Sequence, residues 1–316
     1  MPFSPSATPA DRYVHHDGVD LAVRDHGGDG PPLLLLHGAG RTLADWTLVA
    51  PLLTARHRVL ALDLRAHGHS ASGHSGSDRW SIPAVLDDVE AVLDAFGLPH
   101  AVPVGHSLGG MIAACYALDR PATPAAVNLD GHGYGEPGRY PGLDPEYVAQ
   151  RLAEIRRFAA QAAGRELAPE ECEAVLAHQA TTAASLGIDP VLMDTATRRG
   201  LAGDADGPRH LRPERESALA MLAEMDALDL FALYPRLRCP LFICRATRPN
   251  PSTPGLPWFD ELMAAHATGL DRDLTELALA HPHITVDTID ATHALLLEAP
   301  GAVADHILTF TTHHLP

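Results

Sequence analysis

Not one lysine occurs in the chain; all 23 basic residues are arginine, set against 40 acidic ones. That absence removes lysine Schiff-base chemistry and a lysine-bound pyridoxal cofactor together. Cysteine is sparse, at Cys115, Cys172, Cys239 and Cys244, with neither a CxxC spacing nor a dense framework. Cys239 and Cys244 flank an apolar run, where reduced, core-filling cysteine is the plain reading. No apolar run approaches the ~20 residues that a membrane span needs. The opening MPFSPSATPADRY lacks the basic start and apolar stretch of a signal peptide, so a soluble cytoplasmic protein is the expectation. The net charge of -17 repels phosphate backbones and anionic lipid, which points away from nucleic acid and membrane as partners. Nothing in the sequence speaks to oligomeric state.

What is present is strand–helix alternation. Residues 12–16 and 20–25 read as a hairpin about Asp17-Gly18. PPLLLLH, 31–37, is an unbroken apolar run, as expected of a strand covered on both faces. A helix over 43–54 follows, then strand 57–64, helix 81–96, strand 101–105, helix 108–118 and strand 124–130. Gly97 and Pro99 stop the second of these helices. After a long Ala-, Glu- and Arg-rich stretch, with helices expected at 146–163 and 169–180, strand 239–244, helix 258–280, strand 283–289 and helix 294–310 complete the pattern. Such alternation predicts an α/β fold: a mostly parallel central sheet flanked by helices. The core is expected at 1–134 and 226–316, with a helical cap inserted at 135–225.

The strongest local signal is Gly105-His106-Ser107-Leu108-Gly109, set between an expected buried strand and an expected helix. A serine on so sharp a turn has strained dihedrals and crowded neighbours, so the positions two before and two after it are small. The turn also places Ser107 at a helix N-terminus, where amides and dipole favour developing negative charge. A glycine-rich turn opening an ordinary helix is the bland alternative.

With this motif in that context, the sequence resembles the α/β-hydrolase superfamily over nearly its whole length. His37-Gly38-Ala39-Gly40 follows the first buried strand, as the family's oxyanion loop does. Asp63-Leu64-Arg65-Ala66-His67-Gly68-His69-Ser70 is similar to the family's D-x-R-G-x-G-x-S turn, with Ala66 in place of glycine. His293 lies between a late strand and the last helix, ahead of Glu298-Ala299-Pro300, as the family's catalytic histidine does. The resemblance implies Ser107 as nucleophile, His293 as base, and the amides of Ala39 and Leu108 as the oxyanion hole. The acid departs from the common arrangement. Residues 245–254 carry no Asp or Glu, where many members place it, whereas Asp130 ends the strand AVNLD. A subset of the superfamily places its acid there. A strand-end Asp opening a turn is the other reading. His67 and His69 could suggest a metal, but no third ligand has clear spacing, so no metal and no cofactor are expected.

These residues imply acyl transfer on a small-molecule substrate, with an ester or lactone of a hydrophobic molecule favoured. Thioester cleavage, carbon–carbon bond hydrolysis, or non-hydrolytic ligand binding or cyclisation on the same fold stay open. His37, Trp46, His106, Tyr134 and Trp258 are candidate pocket residues.

Overall fold

The computed structural model describes residues 9–72, 80–203, 207–253 and 255–315. Strands β1 (Asp11–His16) and β2 (Val19–Gly27) form the first hairpin. Its turn residues, Asp17 and Gly18, both have positive φ, at 46° and 72°, which matches the twist of the flanking strands. Strands β3 (Pro32–Leu36), β4 (Arg58–Leu62), β5 (Val102–His106) and β6 (Ala126–Leu129) follow. The segment after β6 carries β7 (Glu166–Leu167), β8 (Leu201–Gly203) and β9 (Arg209–Leu211). The chain then returns with β10 (Leu241–Ala246) and β11 (Ile284–Ile289). The main sheet runs β1-β2-β4-β3-β5-β6-β10-β11, antiparallel at β1/β2 and β2/β4 and parallel from β4 onward.

The apolar run of β3 shows why this is a three-layer fold. Alternate side chains of a strand point to opposite faces. Leu34 and Leu36 join Leu60 and Leu62 in one core with Val85, Val89, Met111 and Ile112. Leu33 and Leu35 join Val59, Ala61, Val102 and Val104 in the other, with Trp46, Val303 and Ile307. The first core is covered by helices 82–96 and 108–119, the second by helix 300–314. All four cysteines are buried and free. Among the described residues no helix is long and apolar enough to cross a membrane.

Three expectations need correction. The helix over 43–54 is two short pieces, a 3-10 turn at Leu43–Trp46 and a helical turn at Ala50–Leu53. Asp63, which accepts from the Leu43 amide at 2.7 Å, holds the first piece, so tertiary contact and not helical propensity shapes it. The last helix breaks into Leu295–Glu298 and Pro300–His314, because Pro300 cannot continue the first piece's hydrogen bonding. The stretch between β6 and β10 is not wholly helical either. Besides helices Pro145–Ala162, Pro169–Ser185, Pro190–Arg199 and Arg215–Ala227, it holds a three-stranded sheet ordered β7-β9-β8. Strands of two or three residues are too short for alternation to register.

A buried ion network pins this stretch to the core. Arg199, at the end of its helix, donates to Asp63 Oδ2 from Nε (2.9 Å) and from a terminal nitrogen (2.6 Å). The guanidinium also meets Asp11 at 2.7 Å, and Asp11 pairs with Arg24 at 2.8 Å. Asp63 is completely buried, so its charge depends on these donors and on the amides of Leu43 and His69. Removing one partner of a buried pair leaves an uncompensated charge, which costs about 3–5 kcal/mol. Arg199→Met should therefore lower unfolding stability by about that amount in a urea titration. A loss under about 1 kcal/mol, the range of exposed pairs, would show that the network is not needed to hold the two parts together.

Candidate active site

The sharp turn between β5 and helix 108–119 sets Ser107 at φ 54° and ψ -120°, a conformation that L-residues avoid. Close packing enforces it. A Cβ on Gly105 would lie 1.9 Å from the carbonyl carbon of Gly109, and one on Gly109 would lie 2.3 Å from the carbonyl oxygen of Leu36. Only glycine fits at either position. The Ser107 amide donates to the Leu129 carbonyl at 2.9 Å, fastening the turn to the end of β6. Ser107 is partly exposed, and among the described residues its hydroxyl makes no hydrogen bond, as is common before substrate binds.

Asp130 follows β6 with φ 53°. Asn128 builds that turn: its amide oxygen accepts from the Gly131 amide at 2.8 Å and its nitrogen donates to the Gly131 carbonyl at 2.8 Å. The same nitrogen donates to the Tyr234 hydroxyl at 2.9 Å. Asp130 Oδ1 accepts from the Ala246 amide at 3.0 Å, and Oδ2 lies 2.7 Å from Nδ1 of His293. Burial alone would raise the Asp130 carboxyl, but the hydrogen bond and electrostatic attraction of the His293 N–H outweigh it and hold the group at about 2. An ionised Asp130 accepts from Nδ1–H, which leaves the Nε2 lone pair of His293 free. Asp290, the carboxylate nearest to His293 in sequence, is directed elsewhere; its side chain is 88% exposed and meets Arg248.

The loop bearing His293 is fixed from two sides. Glu298 accepts from the Thr292 amide (2.7 Å) and hydroxyl (2.9 Å). His106 Nε2–H donates to the His293 carbonyl at 2.9 Å, with the two rings 4.7 Å apart. Burial keeps His106 neutral, at about 3.

The loop 37–40 lies against the serine: a Cβ on Gly38 would meet Ser107 Cβ at 3.1 Å. Two buried imidazoles hold its backbone. His37 Nδ1–H donates to the Gly38 carbonyl (2.8 Å) while Nε2 accepts from the Leu64 amide (3.0 Å). His67 Nδ1–H donates to the Arg65 carbonyl (3.0 Å) while Nε2 accepts from the Gly40 amide (3.1 Å). Among the described residues the amides of Ala39 and Leu108 have no protein acceptor. His67 is thus fully used in the loop, which leaves it no lone pair for a metal. Burial lowers both His37 and His67, the latter to about 3.

This makes the fold acid-sensitive. The folded values of His37, His67 and His106 lie below the ordinary ~6.5, so the unfolded chain binds more protons. Stability is complete above ~6.5 and falls as pH drops, by up to about 1.4 kcal/mol per pH unit for each group. Urea midpoints should decline steadily from pH 7 to pH 5. A flat profile over that window would contradict neutral burial of these rings.

A serine on a strained strand-to-helix turn, a carboxylate-bound histidine and two amides without a described acceptor thus lie on neighbouring turns at the carboxyl edge of a mostly parallel sheet. The alpha/beta hydrolase fold family matches residues 31–168. A pimeloyl-[acyl-carrier protein] methyl ester esterase of Aeromonas hydrophila is 30% identical over 229 residues, 66% of this chain and 83% of that protein. The chain belongs to the α/β-hydrolase fold family. The chain also superposes on the enol-lactonase of Burkholderia xenovorans with a TM-score of 0.65 and 19% identity, covering 95% of this chain and 100% of that one, a likeness of fold. Against other relatives it spans less. The magnesium-chelatase 30 kDa subunit of Rhodobacter capsulatus is 37% identical over 113 residues, 35% of this chain and 39% of that protein.

The remaining pocket candidates fall in different places. His37 and Trp46 have no exposed surface: the first is a loop fastener and the second packs in the core with Leu33 and Leu35. Both are therefore corrected from pocket wall to interior support. Trp258 packs with Tyr140, Val148, Leu152 and Leu262, under the Arg151 guanidinium at 4.7 Å, and lines no described cavity. His106 lies beneath His293 as its support. Tyr134 alone among the five lines a described cavity. Sequence reading missed Asn128, His132 and Arg199. The Asn-x-Asp-Gly run at the end of β6 was the one usable signal for Asn128; the other two are recognised only by what they meet.

Proposed function

We propose that this α/β hydrolase cleaves a carboxylic ester or lactone of a small hydrophobic molecule through an acyl-enzyme on Ser107. The observation that carries the reading is the 2.7 Å approach of His293 Nδ1 to Asp130 Oδ2, beside a serine held at positive φ. In this mechanism His293 Nε2 takes the Ser107 proton as Oγ attacks the carbonyl carbon. The resulting oxyanion accepts from the amides of Ala39 and Leu108. His293 then returns the proton to the leaving alkoxide. Water, deprotonated by the same nitrogen, releases the acid. Asp130 holds the ring and offsets the charge that it gains. The reaction uses no cofactor. The family membership and the methyl ester cleaved by the Aeromonas relative support an ester as the substrate.

A fluorophosphonate tests the reading directly. Wild type should gain one adduct by intact-protein mass, on the peptide that contains Ser107, and Ser107→Ala should gain none. A folded wild type that stays unlabelled, or a label that persists in the variant, would refute the assignment.

A further inference from the structure

A cavity of about 310 Å³ lies between the loop that follows Asp130, the helices of the stretch after β6, and helix 257–280. Its nearest wall is two residues from the acid. A Cβ on Gly131 would lie 2.3 Å from the Ser107 carbonyl oxygen, so this loop wraps the nucleophile turn before entering the cavity wall as His132.

The lining has a definite chemistry. Leu152, Met225, Leu230, Phe231 and Leu270 supply an apolar interior. Two arginines line it as well, but each is engaged. Arg156 pairs with Asp226 at 2.9 Å; Arg139 lies over the Phe231 ring at 4.1 Å and faces Asp273 at 3.5 Å. Their charge is already balanced, and Glu136 and Asp229 add acid to the lining, so an anionic ligand has no free cation to meet among the described lining residues. His266 donates from Nε2 to the Gly133 carbonyl at 3.2 Å and is occupied in holding the loop. His132 is different. Both of its ring nitrogens are buried, and neither has a hydrogen-bond partner among the described residues. Burial keeps the ring neutral, at about 4, so it offers one donor and one acceptor. Buried polar atoms without partners are rare and costly, and a polar group on a bound molecule repairs them.

We propose that this cavity takes an uncharged, largely apolar molecule, and that His132 reads one hydroxyl or carbonyl oxygen on it. The inference rests on the ester hydrolase reading for its role, since it makes the cavity the specificity pocket of Ser107. It predicts substrates that carry an oxygen function on their non-reacting part and no carboxylate there.

The test can be run without turnover. In Ser107→Ala, the ring carbon–proton signals of histidine are followed by NMR during titration with hexan-1-ol and, separately, with hexanoate. The His132 signal is assigned by its loss in His132→Phe. Hexan-1-ol should shift it saturably, and hexanoate should bind at least tenfold more weakly. No movement of that signal up to the solubility limit of the alcohol, or equal binding of the carboxylate, would overturn the proposal. Kinetics give a second arm. Among p-nitrophenyl acyl esters of two to ten carbons, wild type should favour the ω-hydroxy ester over the plain ester at one chain length by about tenfold in kcat/KM. His132→Phe should bring that ratio to about one, and a preference that survives the substitution counts against the reading. A His132 shift in a protein that hydrolyses no ester and takes no fluorophosphonate would keep the pocket and discard the hydrolase.

Discussion

Ser107→Ala should lose about 10⁵–10⁶ of kcat on a p-nitrophenyl ester and should fold as well as wild type. The two halves of that expectation come from one geometric fact. Ser107 sits at φ 54° and ψ -120° because Gly105, Gly109 and the end of β3 leave the turn no other path. The strain belongs to the backbone, so alanine inherits it unchanged, and only the hydroxyl is lost. Glycine, which has no Cβ, relieves it. Ser107→Gly should therefore be equally inactive yet more stable than wild type, by about 1–3 kcal/mol less its own gain in unfolded-state entropy. A urea titration of the three proteins separates these terms. Equal stability of all three would mean that the turn stores no strain. Activity of the alanine variant within about a hundredfold of wild type would mean that another group is the nucleophile.

Asp130→Asn should lower kcat by about 10⁴, with little change in KM. The substitution is nearly isosteric, and asparagine also accepts positive φ, which Asp130 has at 53°. Its carbonyl oxygen can keep the bond from the Ala246 amide, now 3.0 Å to Oδ1. What changes is the atom facing His293. A carboxylate oxygen 2.7 Å from Nδ1 demands a proton there; an amide NH₂ donates instead and favours the tautomer with its proton on Nε2. A protonated Nε2 cannot take a proton from serine. The check is steady-state kinetics beside a circular dichroism spectrum, since a folded protein with unaltered KM excludes simple damage. Activity within about tenfold of wild type would show that the acid lies elsewhere, or that the ring is held in place without it.

The parts of this site that were legible before the structure share a property: each is a local sequence. The serine turn needs glycine at fixed offsets on a strand-to-helix turn, and five consecutive residues carry that demand. The same holds for the loop at 37–40, for His293 ahead of Glu298, and for Asp130 at the end of an apolar run. Asp130 was readable partly through an absence, since residues 245–254 offer no carboxylate. The doubly covered sheet was readable because a strand packed on both faces must be apolar at every position. Helix 43–54 misled because its residues suit a helix, whereas Asp63 stabilises a tighter turn through the Leu43 amide. Trp46 misled because an aromatic near a reactive loop suits either a pocket or a core, and sequence carries no sign of which face it takes.

By itself, then, the sequence determined the order of the main-sheet strands, the two glycine-bounded loops, and which serine, histidine and aspartate stand at strand ends. Those features depend on periodicity and on steric demands within a few residues of one another. Only the tertiary structure decided that Asp130 and His293, 163 residues apart, meet at 2.7 Å. It also decided that Arg199 enters the core to pair with Asp63, 136 residues away, and that His132 faces a cavity with neither nitrogen paired among the described residues. A buried charge or imidazole is defined by its partners. Those partners arrive from distant elements whose approach is set by packing, and no local pattern records it.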